Sequence, residues 1–476
     1  MKINLYSVYT YFILSLPILF LVGFSTQTFA QSNFYERLPT GLAKYSSTKF
    51  TDTLKVESTM EKSYWLPAVE VIGLNLSLGA VNTYIFDQDF AKISWRTIED
   101  NFKTGFVWDE DHFLMNQFLH PFHGAAYFNA ARSNGLSFWE STPYTIGGSL
   151  MWELFMENEP PSYNDLVTTS FSGITLGEIS YRVSNLIIDE SSIRFERFLR
   201  EFTSTIINPM QGFNRLIRGD MWRSGSPNKR PDFKLVVSTG IHSMFLSKNI
   251  NDQNTYLTLR ANLNYGDRFD VDKHTEPFDY FSLHTEVNIA EGDDLVAIFA
   301  SGVLTDSKLK LFDHTDNIIG LYNEFDFFIN DVYKLTAASL AGQLINRITL
   351  SNSLMMENNL SLSAILIGGT NSQYAVEEGK EYNLGPGGSG SVGIKFLFEN
   401  FGEVFSNYKR YWIHTLSGAE GEEFVGLLNI GINYQLLENS YLGLEYLLYE
   451  RYGDYKYYPD TQDSNSALRI YFKQNI

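Results

Sequence analysis

The constraint that most limits what this chain can fold into is a period-two alternation of apolar and polar side chains across its second half. Between Tyr256 and Tyr265, Leu257, Leu259, Ala261, Leu263 and Tyr265 fall on one face, and Thr258, Arg260, Asn262 and Asn264 on the other. Successive strand side chains point to opposite faces, so this is a strand with one apolar side and one wet side. The pattern recurs near 233–245, 255–265, 279–289, 294–304, 317–329, 333–350, 355–368, 388–398, 403–416, 424–436, 440–452 and 465–474. Runs of about ten residues suit tilted strands crossing a bilayer, and an even number returns both barrel ends to one side. Short connections at 399–403 and 437–440 read as periplasmic turns. The Gly/Pro/Asp-rich stretches 368–387 and 453–464 read as external loops.

Composition supports an exported membrane protein. Residues 1–30 carry Lys2, an apolar run from Tyr11 to Phe24, and Thr28 and Ala30 where signal peptidase requires small residues. They read as a signal peptide. Residues 31–60 form a Ser/Thr-rich spacer. The chain has no cysteine, so disulfides and thiolate metal sites are excluded. A net charge of −19 argues against nucleic-acid partners, and aromatics at 15% suit lipid-facing girdles.

From 61 to 230 the period changes to that of helices. Trp65 to Ile85 reads as a buried helix, and Pro121 to Ser133 as another with Gly135 just past its end. A further helix opens at Thr142 and Pro143 and stops at Pro160. Ser162 and Asp165 resemble a capping box for a third, which runs to about Asn185. Ser192 to Ile207 reads as a fourth, with Ile193, Phe195, Phe198, Leu199 and Phe202 inward and a Glu196–Arg200 pair outside. Gly173 and Gly177, four apart, let another backbone approach closely.

Candidate chemistry lies in this helical region. His120 and His123, three apart on one helix, could hold a metal with Glu153 or Glu178 as a third ligand. A histidine polarised by Glu140 or Asp165 could instead serve as a general base. Trp108, Asp109, Glu110, Asp111 and His112 open the same polar stretch. A structural polar network accounts for these residues equally: Asp165 as a cap, Glu178 with Arg182 as an i,i+4 pair. No nucleophile elbow, phosphate loop or dinucleotide fingerprint occurs, and the residues indicate no particular cofactor. Arg215, Arg218, Arg223, Lys229 and Arg230 form a basic stretch for binding lipid phosphate, or a solvated linker.

The residues from His120 through Arg132, with Phe138 to Ser141, Trp152–Glu153, Pro161 to Asp165 and Gly173 to Glu178, resemble the domain-of-unknown-function 3943 family of exported Gram-negative proteins. The resemblance covers roughly residues 95–220. It implies an outer-membrane or envelope setting with a helical domain ahead of C-terminal strands, and it implies no reaction and no functional residues.

The expected fold is α+β: a helical domain over 61–230, as a plug or periplasmic cap, followed by an antiparallel transmembrane β-barrel of about twelve strands over 231–476. Lys234, Arg260, Asn262, His284, Glu286, Glu324, Asp326, Lys395, Glu445 and Arg469 would line its lumen. Three functions remain open: an outer-membrane barrel for envelope structure or solute passage, an envelope enzyme acting on lipid or cell-wall substrates, and a secreted β-container. The expected partner is outer-membrane lipid.

Overall fold

A computed structural model describes residues 61–108, 112–226, 230–245, 253–290, 295–310, 315–377 and 380–476. The signal-peptide and spacer readings, and those for Asp109, Glu110, Asp111 and Lys229, lie outside the described residues. The chain divides into two units, one holding the strands and the other comprising Val56–Arg230 with Ser372–Asn383.

The strand unit is a closed antiparallel barrel. Its strands are β1 (Phe233–Phe245), β2 (Gln253–Tyr265), β3 (Phe281–Ile289), β4 (Leu295–Leu309), β5 (Thr315–Ile329), β6 (Lys334–Ser351), β7 (Leu354–Asn371), β8 (Tyr382–Phe398), β9 (Gly402–His414), β10 (Gly421–Leu437), β11 (Ser440–Tyr455) and β12 (Thr461–Asn475). Each pairs with its neighbour in sequence, and β1 pairs with β12 from Val236↔Asn475 to Phe245↔Ser466. Closure leaves no edge strand with a free row of donors and acceptors, as a strand structure in a bilayer requires.

Register sorts the side chains. Leu257, Ile241, Ile470, Leu444 and Ile432 are successive cross-strand neighbours and form one apolar ladder. Leu257, Ile241, Ile470 and Leu444 are exposed, as are Ile430, Leu468 and Phe472. Period two sends the intervening polar residues inward.

Two loop expectations are corrected. Residues 368–371, 382–387, 453–455 and 461–464 belong to strands, not loops. Glycine there reflects crowding: a Cβ on Gly387 would lie 1.9 Å from the Trp412 carbonyl oxygen, and one on Gly385 1.8 Å from that of His414.

The helical unit contains α1 (Trp65–Tyr84), α2 (Trp95–Thr104), a π-helical turn (Met115–Leu119) running into α3 (His120–Arg132), α4 (Phe138–Phe155), α5 (Tyr163–Ile187), α6 (Arg194–Ile207) and α7 (Pro209–Arg218). The helix expected to open at Thr142, α4, starts instead at Phe138, because Ser137 and Glu140 form a reciprocal capping box that places Pro143 inside. At the crossing of α3 and α5, a Cβ on Gly173 would lie 2.6 Å from Gly124 Cα. Both glycines are therefore needed for this backbone approach.

One facial assignment is reversed, on α6, and the reading of α1 as a buried helix is corrected to a half-exposed one. On α6, Phe195 is 70% and Phe198 59% exposed, whereas Arg200, Glu201, Thr203 and Ser204 are buried. Glu196 and Arg200 do pair, at 2.9 Å, but Arg200 is inside. On α1, Trp65, Val69, Ile72 and Leu76 are exposed and Asn75 is buried. Amphipathic spacing defines two faces without saying which one the core takes.

On the barrel, Ile430 faces out, 45% exposed, beside the inward Asn429. Ile430→Arg is expected to cost about 2–4 kcal/mol in lipid and Asn429→Arg markedly less. Heat-modifiable gel mobility after refolding measures both, and equal tolerance would refute the register.

Candidate functional site

The barrel lumen is filled in layers. Arg260 on β2 donates from Nη1 to both Glu445 oxygens on β11, at 2.9 and 2.8 Å, although β1 and β12 separate these strands. Arg469 on β12 donates to Glu445 at 2.9 Å, to His242 Nδ1 at 2.9 Å, and to Glu286 on β3. The Arg260 guanidinium lies 4.1 Å from the centroid of the Tyr471 ring. Only side chains directed into the lumen can join strands that are not neighbours. Two arginines thus face two glutamates, and each buried charge has the partner that its desolvation requires. The inward assignments of Arg260, Glu286, Glu445 and Arg469 follow from these contacts.

A second cluster spans the other side. Lys409 Nζ on β9 lies 2.6 Å from Asp326 and 3.3 Å from Glu324, both on β5. Tyr411 donates to Asp326 at 3.0 Å, and Gln343 to Glu324 at 2.7 Å. Here two carboxylates share one ammonium. Beside them is a cavity of about 390 Å³, whose lining includes Asn262, Asn264, His284, Asn359, Asn407 and Asn429.

Apolar layers bound this polar zone. Tyr256, Phe328, Tyr411, Ile413 and Tyr449, from strands around the wall, pack with Tyr333 of the β5–β6 turn into one buried cluster. Phe269 and Val271, from the β2–β3 connection, pack against a second cluster of Tyr280, Val303, Ile318, Tyr322, Ala341 and Ile345. Sequence reasoning located the lining but missed the cavity, because Asn262 and Asn407 belong to distant segments with no shared motif.

In the helical unit His120 and Asp165 come together, and the other candidate residues are engaged elsewhere. His120 Nδ1 is 3.2 Å from Thr169 Oγ1, and its Nε2 is 3.9 Å from Asp165, which also accepts from Asn164 at 3.0 Å. His123 faces elsewhere, stacked on Tyr127 and edge-on to Trp152. Glu153 accepts from the Ser162 backbone N–H at 2.8 Å, joining the end of α4 to the start of α5. Glu178, fully buried, is clasped by Arg132 and Arg182, each at 2.7 Å. Glu140 accepts from the Ser137 N–H, the Tyr64 hydroxyl and the Lys62 ammonium, and these bonds hold its pKa down at about 2. Among the described residues, no three His, Cys, Asp or Glu side chains converge as a metal ion requires.

The basic stretch is engaged by protein groups. Arg215 bonds Glu201 through two nitrogens at 3.0 and 2.8 Å. Arg218 donates to the Ser133 carbonyl at 2.8 Å, and Arg223 to Glu190 at 2.7 Å while remaining largely exposed. The segment between β7 and β8 completes this unit: Glu381 accepts from the Phe113 N–H at 2.6 Å, and Tyr382 packs edge-on against Phe113.

Burial, with His120 adding to it, pushes the His123 pKa down to about 3. In the unfolded chain an imidazole takes up its proton near pH 6.5. The unfolded state therefore binds more protons between these values, and the stability of the helical unit, complete above about pH 6.5, falls as pH drops. The expected slope is about 1.4 kcal/mol per pH unit. Chemical denaturation of the full chain, followed by tryptophan fluorescence, should show His123→Phe losing this share of the pH dependence. An unchanged slope would contradict the assignment.

Residues 105–210 match the family described as "Domain of unknown function (DUF3943)". No curated protein matches the chain in sequence. Among solved structures, an outer-membrane channel from Pseudomonas putida F1 is similar at 7% identity and TM-score 0.27, over 52% of this chain and 97% of that one. The Pseudomonas putida toluene transporter gives 6% identity and TM-score 0.24, over 52% and 90%. An anion-selective porin from Comamonas acidovorans gives 7% and 0.22, over 52% and 99%. The helices that carry His120, Glu153, Asp165 and Glu178 are thus a domain of the DUF3943 family, placed ahead of a twelve-stranded barrel.

Proposed function

We propose that the protein is an outer-membrane barrel whose lumen accepts a small polar solute, with outer-membrane lipid as the partner of its apolar wall. The luminal cavity carries this reading. Its volume of about 390 Å³ admits a small molecule, and its carboxamides offer donors and acceptors in many directions. Glu324 and Asp326 outnumber Lys409, which favours a cationic or donor-rich solute.

The aromatic layer of Phe328, Tyr333 and Tyr449 argues against a permanently open pore. Solute passage would require those rings to move. The exposed outward ladder through Ile241 and Ile470 supports the membrane placement, since such a belt suits hydrocarbon.

Planar-bilayer recording tests this. The native protein should be nearly silent. Phe328→Ala with Tyr449→Ala should open a cation-preferring conductance, and adding Glu324→Gln should reduce that preference. A large conductance in the native protein, or an anion preference in the opened variant, would overturn the reading.

A further inference from the structure

We infer that the aromatic face of α6 and α7 is a surface that docks on lipid. The inference rests on the outer-membrane reading above. Phe195, Phe198 and Phe202 are exposed along α6, with ring centroids 6.3 and 5.8 Å apart in a stacked row. Phe213, Leu216 and Ile217 are exposed on α7. Beneath them is a charged interior, in which Glu201 is held by Arg197 at 2.8 Å and by Arg215 at 2.8 Å.

A water-soluble helix pair buries its phenylalanines and exposes its arginines. This pair does the reverse, so its apolar side has a preferred environment other than water. Two observations select lipid as that environment. Exposed Trp222 follows α7, and tryptophan favours the headgroup boundary. Exposed Arg194 and Arg223 border the aromatic residues, as basic side chains do on helices lying in a membrane interface. The helices then lie in the interface rather than cross it, and no described helix is long and apolar enough to cross.

The chain has no cysteine, so single reporter sites can be introduced cleanly. Phe198→Cys, Ile430→Cys and Lys103→Cys, the last on the exposed side of α2, would each carry a nitrobenzoxadiazole label in the full chain. Each would be reconstituted into phosphatidylethanolamine–phosphatidylglycerol vesicles with and without brominated acyl chains. The label at position 198 should lose emission to bromine comparably to that at 430, while that at 103 should not. Phe202→Cys replaces Phe198→Cys if the latter misfolds. Quenching at 430 without quenching at 198 or 202 would overturn lipid docking and leave the barrel reading intact. Such a result with blue-shifted emission at 198 would mean that a protein surface covers the face. Absence of quenching at 430 would overturn the barrel reading itself, and equal quenching at 103 would overturn the assignment to this face.

Discussion

The structure depends on one arrangement above the others: charged side chains joined across the interior of a closed strand ladder. Arg469 stands at its centre, bonded to Glu445, Glu286 and His242 and nearly inaccessible to solvent. A guanidinium so placed is tolerated only where carboxylates meet it with good geometry, and losing one partner of a buried pair costs about 3–5 kcal/mol. The pairing joins β12 to β3 and β11 to β2, which sets strand neighbourhoods that backbone hydrogen bonds alone leave interchangeable. Polar residues inside and apolar ladders outside then follow from the same register.

The helical unit obeys a related rule. Its interior sets polar networks beside apolar packing, with Glu178 between Arg132 and Arg182, Asn75 accepting from Tyr127, and Glu201 between arginines. Phe195, Phe198 and Phe202, with Trp65, Trp95, Trp139 and Trp222, turn outward, whereas Phe113, Phe118, Phe128, Phe138 and Trp152 are buried. Small residues make this interior possible, since Gly124 and Gly173 bring α3 and α5 together without bulky apolar side chains between them. Directed bonds and close backbone contact add to the apolar burial that usually holds helices together.

How much of this was legible in the sequence differs between the two units. Twelve strands were readable because one wet face and one apolar face impose period two, as from Leu257 to Tyr265. The start of β8 reads as a loop from sequence because glycine signals either a turn or a crowded strand, and at Gly387 only the position of the Trp412 carbonyl decides between them. In α6 the spacing of Phe195, Phe198 and Phe202 was correct and the choice of buried face was not. That choice depends on the surrounding solvent, which a periodic pattern does not specify. The luminal pairs were invisible as pairs: Arg260 and Glu445 are 185 positions apart, and nothing local marks them as partners.

A double-mutant cycle on that pair tests the account most directly. Unfolding free energies of the refolded barrel would be measured for Arg260→Met, Glu445→Gln and the two combined. If the charges meet across the lumen, Glu445→Gln leaves Arg260 without its bonded carboxylate, and Arg260→Met leaves Glu445 with Arg469 alone. The double variant should then lose less than the sum of the singles, with a coupling of about 1–3 kcal/mol. Strict additivity would show that the two side chains do not meet, and with it the cross-lumen arrangement would fail.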